Sequence, residues 1–114
     1  MRADEWIVNF LVDKGVTDVF GIPGVVVMDF LYAVDKRKPE ITPHLCYHEQ
    51  AAAFAACGYA QDNGKLGVAY STRGPGVTNM MTAIADAYYD SIPELLITAH
   101  SCEKIEDGMR VMNN

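Results

Sequence analysis

Short apolar runs alternate along this chain with segments of helical pattern, and this alternation constrains the fold more than any other feature. The apolar runs lie at residues 16–20, 41–47, 66–71 and 92–99. Because these segments are mainly apolar and show no regular alternation with polar residues, they are typical of strands covered on both faces. Strands that alternate with helices favour a parallel sheet between two helix layers. We therefore predict an α/β fold, a three-layer α/β/α arrangement around an open, mainly parallel sheet.

The intervening segments carry helix signals. In residues 28–36 the apolar positions are Met28, Leu31, Tyr32 and Val34. Residues 50–61 are mostly small, and 62–64 read Asp-Asn-Gly, which is a stop signal. From Pro75 onward one further helix is predicted, with an apolar stripe at Val77, Met80, Met81, Ile84, Ala85 and Tyr88.

The chain is 114 residues long, which is enough for one domain. The helix and strand pattern ends near residue 100, and residues 101–114 are polar. We therefore expect one domain over residues 1–100, with an irregular tail or the start of a missing remainder at 101–114. The sheet is expected to be cut before its last strands.

Charge and cysteine content exclude several classes of function. The net charge is −6 and the longest basic run is Lys36-Arg37-Lys38, so we expect no nucleic-acid partner. Three cysteines without a CxxC pair indicate buried thiols in a reducing compartment. The most apolar tract, residues 51–60, is too short to cross a bilayer. Because Arg2, Asp4 and Glu5 lead directly into an amphipathic pattern, we expect no signal peptide. We expect a cytoplasmic protein with no membrane partner.

Polar or glycine-rich segments follow all four predicted strands, at residues 21–24, 48–49, 71–76 and 100–101. Because ligands of open parallel sheets bind outside the carboxyl ends of the strands, this convergence predicts a site at that edge. The alternative is that loops between strands and helices need glycine and polar residues in any case.

Glu49 stands where a strand ends and an alanine-rich helix begins. As an exposed acid in the first turn it would interact favourably with the helix dipole. Ala51, Ala52, Ala53 and Phe54 nevertheless indicate close packing beside it. A carboxyl group in such surroundings could share or donate a proton near neutrality.

The glycine-rich segments are poor matches to nucleotide-binding motifs. Residues 21–24 read G-x-x-G, and Pro23 removes a backbone donor that a pyrophosphate would need. Gly74-Pro75-Gly76 lacks the Lys-Ser/Thr of a phosphate-binding loop. A nucleotide-binding oxidoreductase domain is therefore a disfavoured alternative.

Four motifs in register resemble a known family: FGIPG, HEQAAAFAACGYAQ, STRGPGVTN and DSIPELLITAH. Together they are similar to the N-terminal pyrimidine-binding domain of thiamine-diphosphate enzymes, in the group of acetolactate synthase, pyruvate oxidase and benzaldehyde lyase. The resemblance spans Ala3 to about His100. It implies that residues 1–100 are a partial pyrimidine-binding domain of a 2-oxo-acid decarboxylase or carboligase.

The resemblance also implies roles for single residues. Glu49 would be catalytic, because its carboxyl group would hydrogen-bond the pyrimidine N1′ atom of the cofactor. His100 falls where many members carry a substrate-facing glutamine. The cofactor-binding positions that match the family are Pro23, Gly24, Glu49, Thr72, Gly76 and Asn79.

Family enzymes are several times longer, and they bind the diphosphate and magnesium through a separate domain with a GDG motif that this sequence lacks. The resemblance therefore implies a diphosphate-binding partner domain or subunit, a homo-oligomer such as a dimer, and a small 2-oxo-acid substrate. We expect no metal ligands in this chain and no activity from it alone. A non-catalytic binding or assembly module with the same fold remains the alternative, against which the placement of Glu49 argues.

Overall fold

A computed structural model of the chain describes residues 1–100, 105–106 and 109–110. The elements in chain order are α1 (Ala3–Asp13), β1 (Asp18–Gly21), a 3₁₀ turn (Val25–Val27), α2 (Met28–Lys36), β2 (Thr42–Leu45), α3 (Glu49–Asn63), β3 (Gly67–Ser71), α4 (Pro75–Thr78), α5 (Met81–Tyr89) and β4 (Glu94–Thr98). Two short strands, β5 (Ile105–Glu106) and β6 (Met109–Arg110), pair antiparallel. The rest of the predicted tail lies outside the described residues.

Strands β1 to β4 form one parallel sheet in the order β2-β1-β3-β4. Helices cover both faces, so the predicted three-layer α/β/α architecture is confirmed. Strand β1 pairs with β2 on one side and β3 on the other, which places the change in strand order between β1 and β3. In sheets of this kind a ligand crevice opens at that point, outside the carboxyl ends of the strands.

The first face of the sheet packs against α1 and α2. Val19, Val68 and Tyr70 point to this side, and α1 and α2 contribute Val8, Leu11, Phe30, Ala33 and Val34. Successive residues of a strand point to opposite faces, so Phe20 and Ala69 lie on the other side of the sheet. The cluster on the α1 and α2 side is the larger of the two and forms the main hydrophobic core.

The second face packs against α3 and α5 through small residues, with Ala53, Ala56, Ala69 and Ala83 in one cluster. Small side chains are needed because α3 lies very close to β3. A Cβ atom added at Gly67 would lie 2.1 Å from the carbonyl oxygen of Ala56. The predicted alanine-rich helix, α3, therefore packs with its backbone directly against β3 at Gly67.

One continuous helix was predicted after Pro75, but the structure divides this segment into two helices, α4 and α5. Met80 donates its backbone N–H to the carbonyl of Val77, which is a tighter turn than an α-helix makes. The turn rotates the following residues, so Met80, Ala83 and Ala87 are buried. Tyr88, placed on the apolar stripe by its spacing, is 80% exposed.

Helix α3 is delimited at both ends by specific residues. His48 is its N-cap in an extended conformation, and the His48 Nδ1 atom accepts a hydrogen bond from the Gln50 backbone N–H at 3.1 Å. Gly64 ends the helix in the left-handed conformation, as the stop signal predicted. Within the part of the chain that is described, no helix has both the length and the apolar composition to span a membrane.

Candidate active site

Thr72, directly after β3, is the residue around which the glycine-rich loops meet. A Cβ atom added at Gly24 would lie 2.8 Å from the Thr72 Cβ atom, and one added at Gly76 would lie 3.3 Å from Thr72 Cγ2. Both contacts are closer than ordinary packing. The loop after β1 and the start of α4 therefore approach Thr72 with their backbones, and glycine at these two positions allows it.

The carbonyl group of Thr72 is fixed by two hydroxyl groups. Ser71 Oγ donates to the Thr72 carbonyl oxygen at 3.1 Å, and Thr98 Oγ1 donates to the same oxygen at 3.4 Å. Ser71 is fully buried, so its hydroxyl needs such a partner. Thr98 was not among the site residues predicted from the sequence. Its signal was a hydroxyl residue at the carboxyl end of an apolar strand.

The turn before α4 orients the next predicted residue. Gly74 has a φ of +67° at the N-cap of α4, a conformation that favours glycine, and Pro75 occupies the first turn. The backbone N–H of Asn79 donates to the carbonyl oxygen of Pro75 at 2.9 Å. Asn79 therefore lies one helical turn beyond Pro75, near the face of α3.

Glu49 and Asn79 contact each other directly. Asn79 Nδ2 donates a hydrogen bond to Glu49 Oε2 at 3.1 Å, and the pair is partly buried. These residues are 30 positions apart in the sequence and come from different strand-to-helix connections. The contact brings the predicted acid and a predicted cofactor-binding residue together.

The position of Glu49 follows from the end of β2. The Cys46 backbone N–H donates to the carbonyl oxygen of Gly21 at 3.0 Å, which continues the pairing with β1 by one residue. The chain then turns through His48, the N-cap of α3. Glu49 is consequently the first residue of the helix and lies at the carboxyl edge of the sheet, half-buried.

The structure thus gathers five of the predicted residues into two groups. Gly24 and Gly76 lie against Thr72, and Glu49 lies against Asn79. Pro23 precedes Gly24 in the same loop and is exposed. His100 is also exposed and lies two residues beyond Thr98, at the same edge. It borders a 510 Å³ cavity that Arg2, Ile7 and Phe30 also line, on the α1 and α2 side of the sheet.

Among the described residues, no group of three or more His, Cys, Asp or Glu side chains is arranged to hold a metal ion. The candidate site brings together one carboxyl group, that of Glu49, and its amide partner Asn79. Such a pair can orient an acid and hold or release one proton at a fixed place.

Comparison with known proteins identifies the family of this chain. Residues 1–112 match the family model described as thiamine pyrophosphate enzyme, N-terminal TPP binding domain. Acetolactate synthase 1, chloroplastic, from Oryza sativa subsp. japonica is 49% identical over 97 residues, which are 85% of this chain and 15% of that protein. The large subunit of acetolactate synthase isozyme 2 from Escherichia coli K12 is 47% identical over 98 residues, 86% of this chain and 18% of that protein.

The large subunit of acetolactate synthase from Buchnera aphidicola subsp. Acyrthosiphon pisum is 46% identical over 98 residues. The chain thus spans less than a fifth of the length of these relatives. Nearly all of it nevertheless lies within the family match. The chain belongs to the family of thiamine pyrophosphate enzymes, of which it represents the N-terminal TPP binding domain.

Proposed function

We propose that this chain is the pyrimidine-binding part of a thiamine-diphosphate-dependent 2-oxo-acid decarboxylase or carboligase that resembles acetolactate synthase, a lyase or transferase. The observation that carries the proposal is the hydrogen bond between Asn79 and Glu49 at the carboxyl edge of the sheet. It holds an acid at the edge where a ligand of this fold binds.

The residues present fit the pyrimidine ring of that cofactor. Gly24 and Gly76 let two backbone segments pack closely against Thr72, where a larger side chain would not fit. Pro23, Gly24, Thr72 and Gly76 would line the edge and face of a flat ring, and Glu49 and Asn79 would meet a ring nitrogen. When bound, thiamine diphosphate supplies the electron sink for decarboxylation and carbon–carbon bond formation.

Glu49 has the role of the proton-sharing acid in this proposal. Its Oε2 atom is held by Asn79, so the carboxyl group is oriented before any ligand arrives. Its proton would go to the N1′ atom of the pyrimidine ring. Besides its proposed contact with the ring, Asn79 positions Glu49 through this hydrogen bond. His100 is proposed to face the substrate from the end of β4.

Exposed apolar residues support the view that this chain provides only part of the site. Val25 is 91% exposed and Tyr47 is 98% exposed, and each lies in a loop that borders the site. A diphosphate-binding domain or subunit that carries magnesium would cover them and exclude water from Glu49. We further propose a homo-oligomeric, dimeric assembly, a cytoplasmic location and a small 2-oxo acid such as pyruvate as substrate.

A chimeric enzyme tests the proposed role of Glu49. The matching 98 residues of the Escherichia coli isozyme 2 large subunit are replaced by those of this chain, and acetolactate formation from pyruvate is measured. We expect an active chimera. Glu49→Gln keeps an oxygen to accept from Asn79 but removes the acid, so activity should fall about 100-fold or more.

Asp62→Asn is the matched control, since Asp62 is an exposed acid near the other end of the same helix. This variant should keep the activity of the chimera, and the circular dichroism spectra of all three proteins should agree. Unchanged turnover in the Glu49→Gln chimera would contradict the proposed mechanism and favour a non-catalytic binding module.

A further inference from the structure

A groove of 450 Å³ lies between α2 and the edge strand β2 and meets the candidate active site only at Pro23. One wall comes from α2 with Met28, Leu31, Tyr32 and Asp35, and the other from β2 with Pro43 and Leu45. The volume is within the range of about 300–1,000 Å³ that small-molecule sites occupy. The size therefore suits a compact organic ligand.

The floor of the groove is provided by Tyr70, which belongs to β3 and reaches across β1. Gly21 of β1 lies opposite Tyr70, and a Cβ atom at Gly21 would lie 2.5 Å from Tyr70 Cδ2. The tyrosine ring thus occupies the space of the missing side chain. Burial, with a contribution from Cys46 beyond β1, raises the pKa of Tyr70 to about 12. The hydroxyl group remains protonated near neutrality.

Large apolar side chains in the walls of the groove are exposed and not buried in the core. Tyr32 is 60% exposed and Leu45 is 64% exposed. Met28, Leu31 and Tyr32 are predicted apolar positions of α2 that line the groove. The fourth predicted position, Val34, is buried in the core with Phe30 and Ala33. The apolar pattern of α2 is therefore divided between the core and this groove.

Asp35 is the charged residue among the groove's lining side chains. It lies one turn after Tyr32 on the same face of α2. Lys38 Nζ forms an ion pair with Asp35 Oδ1 at 3.0 Å, and the two side chains are 52% and 69% exposed. Such an exposed pair contributes little, so another cation can replace Lys38 at the carboxylate.

We propose that this groove is a second small-molecule site that binds a small primary amine carrying an aromatic or branched apolar group. The ammonium group would lie against Asp35 and near the face of Tyr32. The apolar group would lie between Leu31 and Leu45. The net charge of −6 also favours a cationic ligand over an anionic one.

The groove is continuous with the candidate active site through Pro23, which lines it. The next residue, Gly24, contacts Thr72. A ligand in the groove therefore lies against the loop that borders the active site, and its binding should be detectable there without any cofactor.

Two probes of one skeleton test the proposal on the 114-residue chain. The first is 2-(4-fluorophenyl)ethylamine and the second is the neutral 2-(4-fluorophenyl)ethanol, both followed by ¹⁹F NMR. We expect saturable binding of both in the millimolar range, tighter for the amine. In ¹⁵N spectra the amine should shift the amide signals of Leu45 and Gly24.

Three variants separate the contribution of the Asp35 carboxylate to binding from that of the apolar wall. Asp35→Asn should weaken the amine about threefold and leave the alcohol unchanged. Leu45→Asn should weaken both probes at least about fivefold, since Leu45 contributes apolar wall. Asp29→Asn is the matched control, because Asp29 lies on the same helix with 71% side-chain exposure and an ion pair of its own. It should change neither probe.

Absence of saturable binding, or binding that Leu45→Asn does not weaken, would overturn the proposed site. An equal loss of affinity for the amine in the Asp35→Asn and Asp29→Asn variants would overturn the assignment of the ammonium group to Asp35. These outcomes are independent of thiamine diphosphate, so they leave the proposed function of the chain untouched.

Discussion

Gly24 is the residue at which one added carbon atom has the clearest consequence. A Cβ atom there would lie 2.8 Å from the Thr72 side chain, so Gly24→Ala forces the loop after β1 away from Thr72. We expect a loss of about 1–3 kcal/mol in the free energy of unfolding, as for other overpacked sites. Urea denaturation of the 114-residue chain measures it.

For Gly58→Ala we expect the opposite change in stability, measured in the same experiment. Gly58 lies inside α3, is exposed, and has no atom within 4 Å of an added Cβ. Alanine there removes backbone freedom from the unfolded chain and should stabilise the protein by about 0.5–1 kcal/mol. If both variants lose the same stability, the close approach of Gly24 to Thr72 is not what makes glycine necessary.

Single residues of the site were predictable to different degrees. Glu49 could be singled out because an acid before an alanine-rich run is unusual in composition. Thr98 could not, because its importance depends on the register that sets β4 beside β3. The hydrogen bond from Asn79 to Glu49 likewise joins residues 30 positions apart on two different strand-to-helix connections, which local sequence spacing does not reveal.

At the scale of elements, α3 and β4 meet through an unusual polar contact. Cys57 Sγ of α3 donates a hydrogen bond to Glu94 Oε2 of β4 at 3.0 Å. Burial, and then the neighbouring Glu94, raise the pKa of Cys57 to about 12, so the thiol remains the donor. Glu94 Oε1 is buried and has no partner among the described residues. The carboxyl group therefore destabilises the packing of these two elements.

Replacement of Glu94 by leucine should stabilise the chain. The carboxyl group borders a 220 Å³ cavity lined by Ile84, Ala87 and Leu96, and a leucine side chain would extend into apolar surroundings. Removing a buried oxygen without a partner should increase the free energy of unfolding by about 1 kcal/mol at neutral pH. Thermal and urea denaturation measure the change.

The stabilisation by Glu94→Leu should depend on pH in a defined direction. Burial raises the pKa of Glu94 above its ordinary 4.5 in the folded chain. The folded state therefore holds the proton more tightly than the unfolded state, and the wild-type chain loses stability as pH rises above about 4.5. The advantage of Glu94→Leu should be larger at pH 7 than at about pH 4. An advantage that grows toward acid pH would contradict this account.

Cys57→Ala serves as the control for the contact itself. In the wild-type background it removes the donor to Glu94 and should destabilise the chain. In the Glu94→Leu background the same substitution should cost less, since no carboxyl group then loses a partner. Equal costs in both backgrounds would show that the thiol acts only through its volume.

Helices and strands could be predicted where the hydrophobic pattern and the residues that begin or end an element agree. Helix α2 has the predicted bounds, and Gly64 ends α3 as expected. Strand β2 is shorter than its apolar run and contains Pro43, which an edge strand of the described sheet tolerates. The stripe predicted after Pro75 was correct in part, since Met80 is buried and Ile84 packs against the core. Met81 and Tyr88 are exposed instead, beyond the tight turn that divides α4 from α5.

At the scale of the whole molecule, the site follows from topology. The strand order places β1 and β3 side by side in the centre of the described sheet, and the loops that follow these strands carry Gly24 and Thr72. The sequence could predict a parallel sheet between helices, because strands buried on both faces are apolar throughout. It could not predict strand order from composition, because order depends on which neighbours β1 pairs with.

The arrangement of the whole molecule also predicts the behaviour of the chain without its proposed partner. The acid lies at an edge bordered by exposed Val25 and Tyr47, and the described residues offer no metal-binding cluster for a diphosphate. Because catalysis needs both ends of the cofactor held in one geometry, we expect no carbon dioxide release from pyruvate by the isolated chain with thiamine diphosphate and magnesium. A coupled spectrophotometric assay measures the rate, with the active chimera as positive control. Activity should appear only when a diphosphate-binding region is joined to the chain. Turnover by the isolated chain would instead show that its own residues complete the site.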